Sequence, residues 1–518
     1  MPGLFYNNLF FYRIFSIKVH ANDIQPVEKE EIVTMDMKKK KRSFWKKIVG
    51  VILLYYIIGA LVPFMFHPKA EVSEAGKKAA NVVKTAQNYG NSEQMATILE
   101  TSNDALDARL QIFDEAKEKI ILSTFDIRLG KSTNDVFSVL LAAADRGVQV
   151  EILVDGMAVF SHMKTEPLFY AMGTHENIKI LSYNQPNLFK PWTFNGRLHD
   201  KYIIVDDQIL LAGGRNTFDY FLGEYNMKNL SYDREFLLYD GNEEKRKEGT
   251  AIAQVEQYYE EVKALDTVKE VYEERPFFVK EEEVIEARES LEDHYESIKE
   301  EKSDLFLAEH SYKEKAVSVG RVVFLTNPTG ILAKKPVLYY DLISMMEEAK
   351  NEVYIHTPYV VLSKDMKEKL TKVCEREIPT KMQVNSIAVG DNVMASSDYL
   401  LRRKGVLKTG VELYEFQGDH SSHGKSLYID EAVSVIGSFN FDMRSAYLDT
   451  ETMFVIEGKE FTDELKNKIQ QMEDQSILVT KTNQYEAQTK IEEAQISKGK
   501  DVLYRVTSIV FQLIRYLI

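Results

Sequence analysis

The chain has 518 residues, 44% of them hydrophobic, and a formal net charge of −15. That is enough length for two or three domains and enough apolar content for a large core, which excludes a disordered chain. The acidic balance offers no global positive field to recruit nucleic acid, and Cys374, the one cysteine, leaves neither an intramolecular disulfide nor a thiolate metal cage.

Leu4 to Phe15 is an aromatic-rich stretch unlike the rest of the chain. In a bacterial source, codons for Lys29-Glu30-Glu31 would fit a purine-rich ribosome-binding sequence, so translation is expected to start at Met35 or Met37. Lys38 to Arg42 is a basic run, Lys46 and Lys47 follow, and Ile48 to Phe66 then passes without a charge. As a helix rising about 1.5 Å per residue, that run matches the roughly 30 Å hydrocarbon core of a bilayer. Residues 48–66 are therefore read as one transmembrane helix with Trp45 at its interface, and residues 1–47 as a cytoplasmic segment. The basic cluster precedes the span, which puts everything after His67 on the far side of the membrane. The alternative is a cleaved signal peptide, but the apolar run exceeds the usual length and His67-Pro68-Lys69-Ala70 is a poor cleavage site.

Residues 67–103 read as a polar, helix-prone spacer. An α/β pattern follows: a helix over Ala105 to Glu118, a strand over Lys119 to Phe125, a helix over Asn134 to Arg146 and a strand over Val148 to Val154. Residues 104–240 are taken as a first lobe. The same order returns in a second lobe, 316–460, with a helix over Asp341 to Lys350, a strand over Glu352 to His356, a helix over Ser363 to Arg376 and a strand over Met382 to Val389. An internal duplication is the economical explanation, and alternation of this kind predicts sheets flanked by helices. Between the copies, residues 241–315 are acidic and read as a solvated helical linker. In the C-terminal region, 461–518, a tail from Asp501 to Ile518 puts Leu503, Val506, Val510, Leu513 and Leu517 on one helical face. It is too short and too charged to span, so it lies either in a membrane interface or on the domain.

One pattern occurs twice with the same internal spacing. His199-Asp200-Lys201, Asp206 and Gly213-Gly214-Arg215-Asn216 are matched by His423-Gly424-Lys425, Asp430 and Gly437-Ser438-Phe439-Asn440. A lone His-x-Lys is nearly always a surface pair; the matched duplication argues for a site. The residues from Lys201 to Asp206 and from Lys425 to Asp430 read as strands, on which positions two apart share a face, so each His emerges beside its Lys. Ile209 to Ala212 and Ala432 to Ile436 read as the return strands of hairpins turning at Asp207-Gln208 and near Glu431. The small pairs Gly213-Gly214 and Gly437-Ser438 let the backbone pass close to a ligand and bring Asn216 and Asn440 beside the lysines. Two cations, two amides and two imidazoles facing one point suit a phosphate.

These motifs resemble the paired HxK-D-GSxN signatures of the phospholipase D superfamily, over a layout running from about residue 105 to 460. Ala143 to Val148, Thr357-Pro358-Tyr359 and Gly437 to Ser445 are similar to the bacterial cardiolipin synthase branch. Asp449-Thr450-Glu451 stands where that branch usually carries Asn-x-Glu, Gly213-Gly214 replaces Gly-Ser, and the chain shows one N-terminal span where cardiolipin synthases commonly have two.

The resemblance implies two similar lobes, related by a pseudo-twofold with the active site between them, and an enzyme acting on phospholipid phosphodiesters. By resemblance, His199 attacks phosphorus to give a phosphohistidine and His423 protonates the leaving alcohol, then takes a proton from the incoming water or alcohol. Lys201, Lys425, Asn216 and Asn440 would hold the non-bridging oxygens. Asp233 and Glu451 are candidates to accept the other ring N–H of the histidines, and Asp206 and Asp430 to anchor the motif loops or the lysines. No metal or other cofactor is expected. His420 and His356 read as structural, and Trp192 and Phe194 either line a cleft or pack in the core. The expected partners are a phospholipid substrate and a membrane, with no nucleic acid. The competing readings are a membrane-tethered nuclease of the same superfamily and a non-catalytic membrane binding protein on the same scaffold.

Overall fold

A computed structural model describes residues 26–86, 93–240, 249–307 and 311–518; the aromatic stretch Leu4 to Phe15 lies outside them. The chain divides into an N-terminal unit ending at Ile58 and a second unit, Gly59–Ile518. The first is carried by the helix Pro26–Leu61. Of its apolar residues, Val51, Leu53 and Ile57 are more than half exposed. Met37–Phe64 is long and apolar enough to cross a membrane. The helix stops before the charge-free run does, at Leu61, because Pro63 disfavours helical backbone in the residue before it.

In the second unit the strands in chain order are β1 (Met95–Leu99), β2 (Lys119–Thr124), β3 (Gln149–Asp155), β4 (Ile178–Tyr183), β5 (Tyr202–Val205), β6 (Ile209–Gly213), β7 (Ser231–Tyr232), β8 (Glu235–Tyr239) and β9 (Val268–Val271). They continue with β10 (Val317–Ser318), β11 (Val322–Thr326), β12 (Val353–His356), β13 (Thr380–Asn385), β14 (Glu412–Phe416), β15 (Ser421–Ser422), β16 (Ser426–Ile429), β17 (Val433–Gly437), β18 (Thr452–Glu457) and β19 (Ser476–Val479). One sheet runs β10-β1-β8-β6-β5-β2-β3-β4-β9 and the other β11-β18-β17-β16-β12-β13-β14-β19. Leaving out β10, the two orders are the same, strand for strand. The duplication seen in sequence is a duplication of topology.

Each lobe's three parallel strands are joined by helical crossovers, Lys131–Asp145 between β2 and β3 and Lys364–Cys374 between β12 and β13, as parallel pairing requires. The helices bury their apolar faces on the outer side of each sheet. The inner faces share a third apolar layer, in which Phe454 meets Phe236 at 5.2 Å and Phe324 at 5.3 Å between ring centroids. The motif hairpins β5–β6 and β16–β17 sit mid-sheet in the same register: Ile120 faces Val205 as Val353 faces Ile429.

Four segments differ from the sequence expectation. The spacer 67–103 is built into the body: the helix Glu74–Thr85, capped by Ser73, buries Ala79, Val82 and Val83 against lobe 2, and β1 is a strand of the lobe 1 sheet. The stretch 241–315 is not merely a solvated linker. Its helix Ala251–Lys263 buries Tyr258, Tyr259 and Val262 between the sheets, β9 closes the edge of lobe 1, and Glu281–Glu301 buries Leu291 and Ile298 in the lobe 1 core. Few apolar residues on a mostly charged helix were enough, because they recur on one face. The boundary at 316 is also displaced, since β10 pairs with β1 of lobe 1. The C-terminal region completes lobe 2 with β19, and the helix Lys498–Val510 packs on the helix Val393–Leu407, where Ser397 and Thr507 hydroxyls meet at 2.7 Å.

Candidate active site

The motif residues of both lobes converge where the sheets meet, and each lobe supplies part of the other's half-site. Leu198 bridges to Thr450, and β7 pairs in parallel with β15. These two cross-lobe ladders place the residue before each histidine beside the segment carrying the other lobe's carboxylate. His199 Nδ1 lies 2.8 Å from Glu451 Oε1, and His423 Nδ1 lies 2.6 Å from Asp233 Oδ2. Both carboxylates are buried, so in each pair the carboxylate orients the ring, and His423 Nε2 also meets Lys425 Nζ at 3.0 Å. Thr450 Oγ1 also accepts from the His199 backbone N–H at 3.0 Å.

Lys201 and Lys425 fold back over their own histidines, each Nζ donating to the carbonyl oxygen of His199 or His423. Asn216 and Asn440 are buried, and neither Oδ1 has a hydrogen-bond partner among the described residues. Phe125 approaches His199 at 5.4 Å and Phe221 approaches His423 at 5.0 Å between ring centroids, giving the imidazoles apolar walls.

The small motif residues differ for a reason visible in the structure. A Cβ on Gly214 would stand 2.3 Å from Asp233 Oδ1, so the first copy has no room for a side chain there. In the second copy the same position is Ser438, which donates to Glu451 Oε2 at 2.5 Å, and Ser445 donates to Glu451 Oε1 at 2.6 Å. Gly213 and Gly437 each run against the carbonyl of the neighbouring strand, where a Cβ would meet Arg234 O at 2.4 Å or Thr452 O at 2.1 Å.

Electrostatics separate the two halves further. Burial and the Lys201 ammonium hold His199 well below the ordinary imidazole pKa, so it is neutral at pH 7. Burial and Lys425 also lower His423, but Asp233 opposes them. Asp233 is itself buried, which raises a carboxyl, yet Lys425 and His423 outweigh that and hold it below the usual range. Glu451 goes the other way: burial pushes it up to about 8 against the pull of Lys201. Burial drives Lys201 down to about 7 against the pull of Glu451, with Lys425 adding to the fall, and drives Lys425 down to about 8 against the pull of Asp233, a condition that an anionic ligand between them relieves.

Asp206 and Asp430 lie at the far end of their strands from the histidines. Both sit in left-handed turns, with φ of 49° and 55°. Asp206 accepts from the backbone N–H groups of Lys117, Glu118 and Lys119, and Asp430 from those of Lys350, Asn351 and Glu352, all within 3.1 Å. They tie each hairpin to the start of the adjacent strand rather than to the lysines. Asp449, standing where the branch carries Asn, accepts from the Arg197 N–H at 2.8 Å and pairs with Arg444 at 2.7 Å. His420 Nε2 lies 2.9 Å from Met227 O, a contact from lobe 2 to lobe 1. Trp192 packs partly buried against the lobe 2 core.

The motif spacing did not mark three residues that the fold brings to the site. Arg234 binds Glu100, Ser426 and His356, and His356 Nε2 meets Ser422 Oγ at 2.7 Å, so one chain of bonds braces the residues next to Asp233 and His423. Asp391 accepts from Tyr359 at 2.5 Å and Tyr220 at 3.0 Å, and the Tyr359 ring lies 6.1 Å from His423. The hints in the sequence were the adjacency of Arg234 to Asp233, His356, read as structural, and Tyr359 in the Thr357-Pro358-Tyr359 match.

Two topologically identical α/β lobes with paired His-Lys-Asn sets facing across their junction define a phospholipase D-type protein. A family model described as "Cardiolipin synthase, PLD-like domain" matches residues 110–242 and 342–473, and the chain belongs to that family. It is 26% identical over 412 residues to cardiolipin synthase C of Escherichia coli, covering 70% of this chain and 81% of that one. It is 22% identical over 446 residues to cardiolipin synthase A of Buchnera aphidicola, covering 86% and 82%. The crystal structure of phosphatidylserine synthase from Haemophilus influenzae shares the fold with a TM-score of 0.57 at 14% identity, covering 86% of this chain and all of that one.

Proposed function

We propose that this chain is a membrane-anchored phosphatidyltransferase that works through a phosphohistidine on His199. The observation that carries the reading is the crossed pair of bonds, His199 to Glu451 and His423 to Asp233, with a lysine folded back over each ring. Neutral His199 has a free lone pair at Nε2 to attack phosphorus. As the N–P bond forms, the P–O bond to the leaving alcohol breaks and His423 Nε2–H gives that oxygen its proton. Ionised Asp233 favours the protonated ring this step needs. An incoming hydroxyl then loses its proton to His423 and attacks the same phosphorus, and the N–P bond breaks. Lys201, Lys425 and the two asparagine amides stabilise the charge on the non-bridging oxygens.

Family membership and the names of the relatives support a phospholipid as substrate, and the apolar helix supports an anchor. The basic residues before the span favour a catalytic body outside the cytoplasm. Phosphatidylglycerol in mixed micelles tests the reaction: cardiolipin with released glycerol is the expected product. Phosphatidic acid alone would make water the acceptor and the enzyme a hydrolase, and no lipid product with cleavage of DNA would overturn the lipid assignment. Protease added to intact spheroplasts should cut near Glu281; cleavage only after lysis would reverse the topology.

A further inference from the structure

The helix Lys498–Val510 and the turn Phe511–Leu517 after it have two unlike faces. One is fastened to lobe 2. Tyr504 and Ser508 are buried, Gln512 and Arg515 bond to Asp398 at 3.0 and 2.7 Å, and Arg444 N–H donates to the Ile518 carbonyl at 3.0 Å. The other face is apolar and uncovered: Val502, Val506 and Val510 are 61, 58 and 54% exposed, Ile509 73% and Leu513 80%. Neighbouring Leu401 is 51% exposed, and Arg402, bonded to Gln512 at 2.7 Å, supplies a cation at the edge.

What covers this face follows from what lies at its end. The last residues of the apolar run belong to the same unit: Phe64 is buried in the lobe 2 core, and the His67 ring lies 4.3 Å from Tyr447 and 6.5 Å from Tyr516. The apolar strip therefore ends beside Phe64 to His67, a few residues along the chain from any bilayer that holds the span. A 13-residue helix rises only about 20 Å, too short to cross but suited to lie in the interface.

The geometry points to the exposed face of Lys498–Val510 as a lipid-docking surface, a second membrane contact besides the span. It rests on the reading of the charge-free part of the helix Pro26–Leu61 as membrane-inserted. The helix also reaches the site. Lys500 Nζ donates to the carbonyls of Ala388 and Gly390 at 2.7 and 2.8 Å, and Tyr504 OH to Gly390 at 3.3 Å, fastening the loop that presents Asp391 to Tyr359 beside His423. Docking would hold that loop at the lipid surface.

The test uses the full chain in vesicles of phosphatidylethanolamine and phosphatidylglycerol, with Cys374→Ser and Ile509→Cys carrying an environment-sensitive fluorophore. Docking predicts blue-shifted emission and at least about twofold quenching by lipids bearing a nitroxide near the headgroup. Adding Val506→Asp and Leu513→Asp should abolish both while the chain still resists alkaline carbonate extraction. Water-like, unquenched emission in a carbonate-resistant chain would overturn the docking surface. So would blue-shifted emission that is unquenched by lipid and accompanied by excimers of a pyrene label at the same site, since that assigns the face to a second copy. Extraction of the chain by carbonate would overturn the anchor itself.

Discussion

The two half-sites share a topology and a motif but differ in the carboxylate behind the imidazole and in what surrounds it. Asp233 is held ionised by Lys425 and His423, and Gly214 leaves it room. Glu451 accepts from Ser438 and Ser445, and burial pushes it up to about 8. Duplication thus supplies two equivalent histidines, and the electrostatics of their partners make them unequal: the ionised carboxylate backs the ring proposed to carry the proton, and the neutral ring is the proposed nucleophile. Pairs of groups whose surroundings drive their protonation apart are the usual basis for acid and base assignment.

The largest effect expected is at the histidines. His199→Asn should abolish both turnover and the acid-labile label that phosphorus-labelled substrate leaves on the protein. His423→Asn should slow turnover by about 10²- to 10⁴-fold, as for loss of a general acid–base group, yet still permit labelling when the leaving alcohol needs no proton. Label on His423 that survives in the His199 variant would exchange the two roles.

The carboxylates sharpen the contrast. At pH 7 Asp233→Asn should cost at least about tenfold more in kcat than Glu451→Gln, because the first removes a charge from behind the proton-carrying ring and the second leaves an amide oxygen that still accepts the His199 Nδ1–H. Equal losses would mean that both carboxylates act only by orientation.

Exchange of the small residues comes next. Gly214→Ser puts a Cβ 2.3 Å from Asp233 Oδ1 and should lower kcat by about tenfold or more by displacing that carboxylate. Ser438→Gly removes one hydrogen bond to Glu451 and should cost only about threefold to tenfold, the worth of a single such bond. The reverse order in steady-state kinetics would count against the asymmetry.

Anion binding tests the lysines. Both have pKa values lowered by burial, to about 7 and about 8, so the free protein loses these cations as pH rises through that window. Phosphate should therefore bind most tightly below pH 7 and progressively less well up to pH 9, read by titration calorimetry at constant ionic strength. Affinity that rises across this range would contradict the placement of Lys201 and Lys425 as anion ligands.

The smallest effect on activity is expected at the hairpin turns. Asp206→Ala and Asp430→Ala each remove a carboxylate that accepts three backbone N–H groups, and should each cost about 2 kcal/mol of stability with little change in kcat of the folded enzyme. Loss of activity without loss of stability would return these residues to the site.

How much was legible in the sequence follows from range. Motif spacing, strand alternation and turn chemistry are local, and they marked His199, Lys201, Asn216, His423, Lys425 and Asn440 as one constellation before any contact was known. They also exposed the repeat, because a duplicated lobe repeats its local signals in order. Residues 67–103 and 241–315 were misread because their composition is polar, while their roles rest on the few apolar residues that meet the body: Val82, Val83, Tyr259 and Ile298. Composition averages over faces, and packing does not.

The sequence by itself determined the two lobes, their order and the two sets of reactive side chains, since each is written in spacings of a few residues. Only the tertiary structure decided that the sets are crossed, His199 with Glu451 and His423 with Asp233, across separations of 252 and 190 residues. It also decided that burial raises Glu451 while the charges of Lys425 and His423 hold Asp233 down. Both depend on which distant segments share one low-dielectric space, and that is set by packing the two sheets face to face, not by any neighbour along the chain.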